Sequence, residues 1–189
     1  MKNSYLRLLP VLVLSLVSCG KYSEIKVGVF ETAIKNCNNE GKTPRITNSG
    51  DTIKADAYSI GFFFKAHIVS KDDGKDVQGE NTYYIYNHPK SYYVISLDNF
   101  DSSRHVGDTL NDYFFRLNDT LAYNLDSPGY YFAEKWDYKN STSMADTFYS
   151  YSYLLLMKQP TNSGLYRFAI HIESFDTTSQ DDTLNALLK

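Results

Sequence analysis

Tyr58-Ser59-Ile60-Gly61-Phe62-Phe63-Phe64-Lys65-Ala66-His67-Ile68-Val69-Ser70 decides the fold. Tyr58, Ile60, Phe62, Phe64, Ala66 and Ile68 alternate with Ser59, Gly61, Phe63, Lys65, His67 and Val69. Successive side chains of a strand point to opposite faces, so a period of two places the first set on a core and the second toward solvent. A helix would scatter both sets around its axis. The spacing predicts one long half-buried strand over 53–70, with Gly61 as a place for a bulge.

Outward from that stretch the same period recurs. Ile25, Val27 and Val29 mark a strand over 22–31, and residues 36–51 are rich in turn formers and read as a loop. Short strands are expected over 82–86 and 91–97, parted by Asn87-His88-Pro89-Lys90. Residues 148–157 form another, with Tyr149, Tyr151, Tyr153, Leu155 and Met157 on one face. Pro160-Thr161-Asn162-Ser163-Gly164 reads as a hairpin turn into a return strand over 165–175, and 184–188 as a last strand. Residues 98–147 are less regular. Gly107 to Phe115 resembles a capped short helical turn, and Tyr130 to Lys135 another. A structureless loop of that length does not suit a compact domain, so the stretch reads as an elaborated, partly helical crossover.

About seven strands with few helices point to an all-β fold, an antiparallel Ig-like β-sandwich. "Ig-like" means architecture here, because the immunoglobulin Cys and Trp landmarks are absent. A closed barrel is the runner-up, but it wants even hairpins, and the middle segment breaks that rhythm.

The chain has 189 residues, a net charge of −3, 42% hydrophobic residues, 17 Tyr and 11 Phe. That suits one domain with a real core. Without Lys2 and Arg7 the balance is 17 basic against 22 acidic side chains, or −5. A mildly acidic body lacks the basic stripe that displaces counterions from phosphates, so no nucleic-acid partner is expected.

The first 18 residues read as a signal peptide. Lys2 and Arg7 precede an apolar run from Leu8 to Val17. Ten helical residues span about 15 Å, half of a bilayer core of about 30 Å, so the run is too short to cross. It ends in Leu16-Val17-Ser18-Cys19-Gly20. That string resembles the lipobox of bacterial lipoproteins. The resemblance implies cleavage after Ser18, a lipidated Cys19 at the mature N-terminus, a tether over 19–23 and one domain over 24–189. Acyl chains contribute about 0.8 kcal/mol per buried CH₂, so two or three give a stable membrane anchor. Gly20 in place of an Asp implies the outer membrane; which face the body occupies stays open. Cys37 then has no partner within the chain and reads as a small half-buried thiol.

The lipobox, Ser96-Leu97-Asp98-Asn99-Phe100, Gly107-Asp108-Thr109-Leu110-Asn111-Asp112-Tyr113-Phe114 and the pair Tyr153 to Met157 and Phe168 to Ile172 together resemble a group of uncharacterised Bacteroidota lipoproteins with domains of unknown function. That group supplies no active residues to carry over.

Motifs for chemistry are sparse. His67, His88, His105 and His171 are dispersed without metal-ligand spacing. There is no G-x-S-x-G, P-loop or GxGxxG. Asp72-Asp73-Gly74-Lys75-Asp76 lacks the oxygen-rich series of a calcium loop and reads as a polar turn. Neither a catalytic centre nor a cofactor is expected. The expected role is binding, adhesion or accessory work in an envelope complex, with envelope proteins or glycans as partners. The glycan alternative rests on aromatic density: Tyr83, Tyr84, Tyr86, Tyr92, Tyr93, Tyr130, Tyr131, Trp136 and Tyr138 suit a stacking platform. Trp136, with Tyr130, Tyr131 and Tyr138, is the leading contact, because loops tend to carry function. The opposing reading is that Tyr simply suits half-buried strands.

Asp-Thr followed by an aliphatic residue or Thr occurs at Thr52, Thr109, Thr120, Thr177 and Thr183. Independent draws would give about one such triplet. The pattern resembles the O-glycosylation signal of exported Bacteroidota proteins; the competing reading is turn-to-strand grammar, with Asp closing a turn.

Overall fold

A computed structural model describes residues 23–41, 44–71, 81–87, 89–117, 122–124 and 147–189. The strands are β1 (Ser23–Asn38), β2 (Arg45–Ile46), β3 (Thr52–Ile53), β4 (Tyr58–Lys71), β5 (Asn81–Ile85), β6 (Pro89–Ser96), β7 (Phe114–Leu117), β8 (Ala122–Asn124), β9 (Thr147–Leu156), β10 (Gly164–Ser174) and β11 (Ser179–Leu188). Two 3₁₀ turns, Ala55–Ala57 and Asn111–Tyr113, are the helical elements among the described residues. No helix among them is long and apolar enough to cross a membrane.

The larger sheet runs β2-β1-β4-β9-β7-β8, with β5 also on β1; the smaller runs β3-β11-β10-β6. The two pack face to face as the expected β-sandwich, with eleven strands among the described residues where about seven were expected. Pairing is antiparallel except β1 with β5 and β11 with β3. The predicted core face of the deciding stretch is the core face observed: Tyr58, Ile60, Phe62, Phe64, Ala66 and Ile68 are all buried. Across the interior, Tyr58 of β4 stacks on Phe168 of β10 at 5.7 Å, and Phe62 meets Tyr92 of β6 edge-on at 4.5 Å. Phe114 and Phe100 close on Phe168 at 6.2 and 6.0 Å.

Several expectations are corrected. The strand expected over 53–70 is split: the turn at Ala55–Ala57 separates β3, in the smaller sheet, from β4 in the larger. The register runs evenly through Gly61 opposite Lys35, and shifts instead beside Phe30 and beside Val69. Gly61 answers a different need, described below. β1 continues past Glu31 into the expected loop, because Asn36, Cys37 and Asn38 pair with β4, and Cys37 and Asn38 with β2. Residues 160–164 do not make a hairpin: β9 and β10 lie in different sheets, so the segment crosses the sandwich. The closing hairpin is β10–β11, turned at Thr177 with φ 68.

The expected helical turn over 107–115 is the single 3₁₀ turn Asn111–Tyr113, followed at once by β7. Its purpose is visible in the hydrogen bonds. Gly107 takes φ 90, open to glycine for want of a Cβ, and its N–H donates to Ser96 O at 2.7 Å. Leu110 N–H donates to Val94 O, and Val94 N–H donates to Asn111 Oδ1. The segment thus covers the outer edge of β6, which would otherwise present unpaired backbone groups. The second expected turn, over 130–135, lies outside the described residues.

Candidate functional site

β9 carries an inverted pattern. In Tyr149-Ser150-Tyr151-Ser152-Tyr153-Leu154-Leu155-Leu156, the residues turned to the core are Ser150, Ser152, Leu154 and Leu156, all buried. The tyrosines face out: Tyr149 is 63% and Tyr151 56% exposed. Leu154 and Leu156 fix this phase, since a slip by one residue would turn every side chain over. Two small hydroxyls therefore sit inside, and neither Ser150 Oγ nor Ser152 Oγ has a hydrogen-bond partner among the described residues. The pattern costs stability inside and leaves large rings outside.

The register with β4 sets Tyr149 opposite Lys65, Tyr151 opposite Phe63 and Tyr153 opposite Gly61. Tyr151 and Tyr153 rings lie 5.6 Å apart, and Phe63 stands edge-on to Tyr153 at 6.0 Å. Gly61 makes this possible. A Cβ there would lie 2.7 Å from Cys37 Sγ and 2.8 Å from the Phe63 ring. Both side chains lean into the space a larger residue would fill. Cys37 is fully buried beneath them, and burial pushes its thiol up to about 11 against the smaller opposing effect of a Gly61 backbone hydrogen bond. Burial, then Cys37 and Tyr151, push the Tyr153 phenol up to about 12, so it stays neutral at physiological pH. One end of the patch is charged: Lys65 Nζ bonds Glu31 at 2.8 Å, and that bond raises the lysine. Farther on, Phe30, 53% exposed, packs against His67 at 5.1 Å. The surface is a row of rings ending in an ion pair, able to stack on a flat apolar face and to hydrogen-bond at its margin.

Of the sequence-derived platform, the described residues are split between the two sheets. Tyr130, Tyr131, Trp136 and Tyr138 lie outside the described residues, as do Cys19 and Thr120. Tyr83 and Tyr84 are on β5 in the larger sheet, whereas Tyr92 and Tyr93 are on β6 in the smaller. Tyr92 is buried in the core, Tyr86 is half-buried under Lys26 Nζ at 4.3 Å, and Tyr93 packs against His171 at 5.8 Å on the far outer face. The rings that do gather, Tyr149, Tyr151 and Tyr153, were visible in sequence as one face of a strand. The missing step was recognising that the leucines, not the tyrosines, claim the core.

Thr52, Thr109, Thr177 and Thr183 are all exposed. The aspartates before them each accept a nearby backbone N–H: Asp51 from Asn48, Asp108 from His105, Asp176 from Thr178 and Asp182 from Thr183. Turn grammar is thus present at Asp51, Asp108 and Asp176, whereas Asp182 and Thr183 lie inside β11; all four threonines are accessible. His171 Nδ1 bonds Asp181 at 2.7 Å, and no group of three or more His, Cys, Asp or Glu among the described residues is placed to hold a metal ion.

No family model matches the chain, and no curated protein is similar to it. Among solved structures it is similar to the crystal structure of BcpA, the major pilin subunit of Bacillus cereus, at 11% identity and a TM-score of 0.27. The match covers 85% of this chain and 40% of that one, so the chain spans well under half the length of the pilin.

Proposed function

We propose that this chain is a lipid-anchored binding module of the bacterial cell envelope, held at the outer membrane through Cys19 and without a catalytic centre. The leader and its lipobox support the anchor. The observation that carries a binding role is the outward row Tyr149, Tyr151 and Tyr153 beside Phe63. Exposed rings in register on a rigid sheet form a preorganised contact surface, and their loss to solvent is offset when a partner covers them. A second reading, glycan recognition, is favoured by the same row: a ring face accepts the C–H side of a pyranose, and the phenols supply hydrogen bonds.

Membrane fractionation tests the anchor. The unaltered chain should sediment with outer membranes, and Cys19→Ser should yield a soluble product or an uncleaved precursor. A cytosolic protein that keeps its first methionine overturns the anchor. A glycan array tests the second reading. Retention of a sugar that Tyr151→Ala or Trp136→Ala abolishes supports it; a blank array leaves protein partners as the reading.

A further inference from the structure

The anchor proposed at Cys19 and the tyrosine row belong to one sheet. Four peptide links separate Cys19 from Ser23, where β1 begins, so Ser23 stays within about 14 Å of the lipidated residue. From there β1 runs past Glu31 and Lys35. At about 3.3 Å per residue those positions lie about 26 and 40 Å from the start of the strand. Across β4 they mark the limits of the row. Glu31 pairs with Lys65 and Lys65 with Tyr149, while Lys35 pairs with Gly61 and Gly61 with Tyr153. So short a link keeps this sheet beside the bilayer and leaves open which face turns down.

The two outer faces differ in charge. Among the described residues, the outer face of the larger sheet carries Lys35 and Lys65 against Glu31, with His67 on the same side of β4. Nearer the anchor, Tyr86 lies over Gly28 on that face, and Lys26 Nζ sits 4.3 Å from the ring centre. The outer face of the smaller sheet is the reverse. Asp98, Glu173 and Asp181 stand there against Arg167, with His171 between Glu173 and Asp181. The aromatic face is thus the cationic one, in a chain whose net charge is −3. Phe30 and Val69, both exposed, carry its apolar surface back toward the anchor. Tyrosine and lysine together suit a headgroup layer. The ring enters the apolar boundary while its hydroxyl stays wet, and the lysine stem reaches the phosphates.

We propose that the outer face of the larger sheet lies on the bilayer that holds the anchor, its tyrosine row and lysines set among anionic phospholipid headgroups. This rests on the lipid-anchored reading above and names what the row meets. The acyl chains bring the face to the surface; the face adds interfacial contact and charge attraction.

The probe is a vesicle of brominated phosphatidylcholine with about one-third phosphatidylglycerol, carrying the full mature chain lipidated at Cys19. An environment-sensitive fluorophore is attached at Tyr151→Cys, at Tyr149→Cys as an independent second position, and at Arg167→Cys on the opposite face; buried Cys37 stays unlabelled. All three proteins should float with the vesicles. Labels at 149 and 151 should shift to the blue and lose about half or more of their emission, and the label at 167 should keep nearly all of it. Removing phosphatidylglycerol, or adding Lys35→Glu, should cut that quenching about twofold while flotation persists. Flotation without quenching at 149 and 151, or equal quenching at 151 and 167, overturns the proposal and leaves the anchor standing. A chain that does not float overturns the anchor and the proposal with it. Shielding at 151 that needs no vesicles and grows with protein concentration overturns the proposal in favour of a second copy.

Discussion

Tyr113 donates its hydroxyl to Asp101 Oδ2 at 2.6 Å, joining the first β7-side turn to the loop after β6. Partial burial pushes the Asp101 carboxyl up, but hydrogen bonds from the Tyr113 hydroxyl, the Ser103 N–H and hydroxyl and the Arg104 N–H outweigh it, bringing it down to about 2. The unfolded carboxyl returns to about 3.9. The unfolded state therefore takes up the proton more readily. The stabilisation is complete above about pH 4 and is lost as pH falls through about 2. An NMR titration of the Asp101 carboxyl checks this, and Tyr113→Phe should move the midpoint upward. A midpoint near 3.9 in the unaltered protein would show that these bonds do not hold in solution.

Gly61→Ala should destabilise by about 1–3 kcal/mol, because its methyl would meet Cys37 Sγ and the Phe63 ring inside 3.0 Å. Cys37→Ala removes one of the two obstacles. The double variant should therefore lose less than the two single losses combined, as neighbours in contact do. Urea denaturation of the four proteins reads both effects, and strict additivity would deny the contact.

Phe168→Ala should cost about 3–5 kcal/mol, since Phe168 meets Tyr58, Phe100 and Phe114 where the sheets close. Tyr151→Ala, on the outer face, should stay within about 0.5 kcal/mol of the unaltered protein. Reversal of that order in denaturation midpoints would mean the sheet faces have been assigned backwards.

For the Asp-Thr pairs, the mature chain from its native host should exceed its lipidated mass by glycan increments, and Thr→Ala at 52, 109, 177 and 183 should remove them. A mass without excess leaves the aspartates as turn formers only.

The alternation in Tyr58 to Ile68 was readable because both faces of β4 obey a single rule. β9 obeys two: its leucines follow burial, while its tyrosines follow strand propensity and are left outside. Pairing was legible where a turn links neighbours, as in β10–β11, and illegible where the chain changes sheets. The 160–164 connection looks like a hairpin turn because composition reports that a chain turns, not toward which layer. How the outer edge of β1 is closed was hidden for a related reason. Its edge is completed by Asn87 and Gln180, 58 and 148 residues away from the backbone groups they serve.

The ladder that ties Lys189 to Ile53, with Lys189 N–H donating to Ile53 O and Ala55 N–H to Lys189 O, sets an order of events. β3 has no strand to join until β11 has been made, and β6 has none until β10 has. The smaller sheet is consequently the last layer to assemble, closing over a larger sheet in which β1 and β4 can already pair.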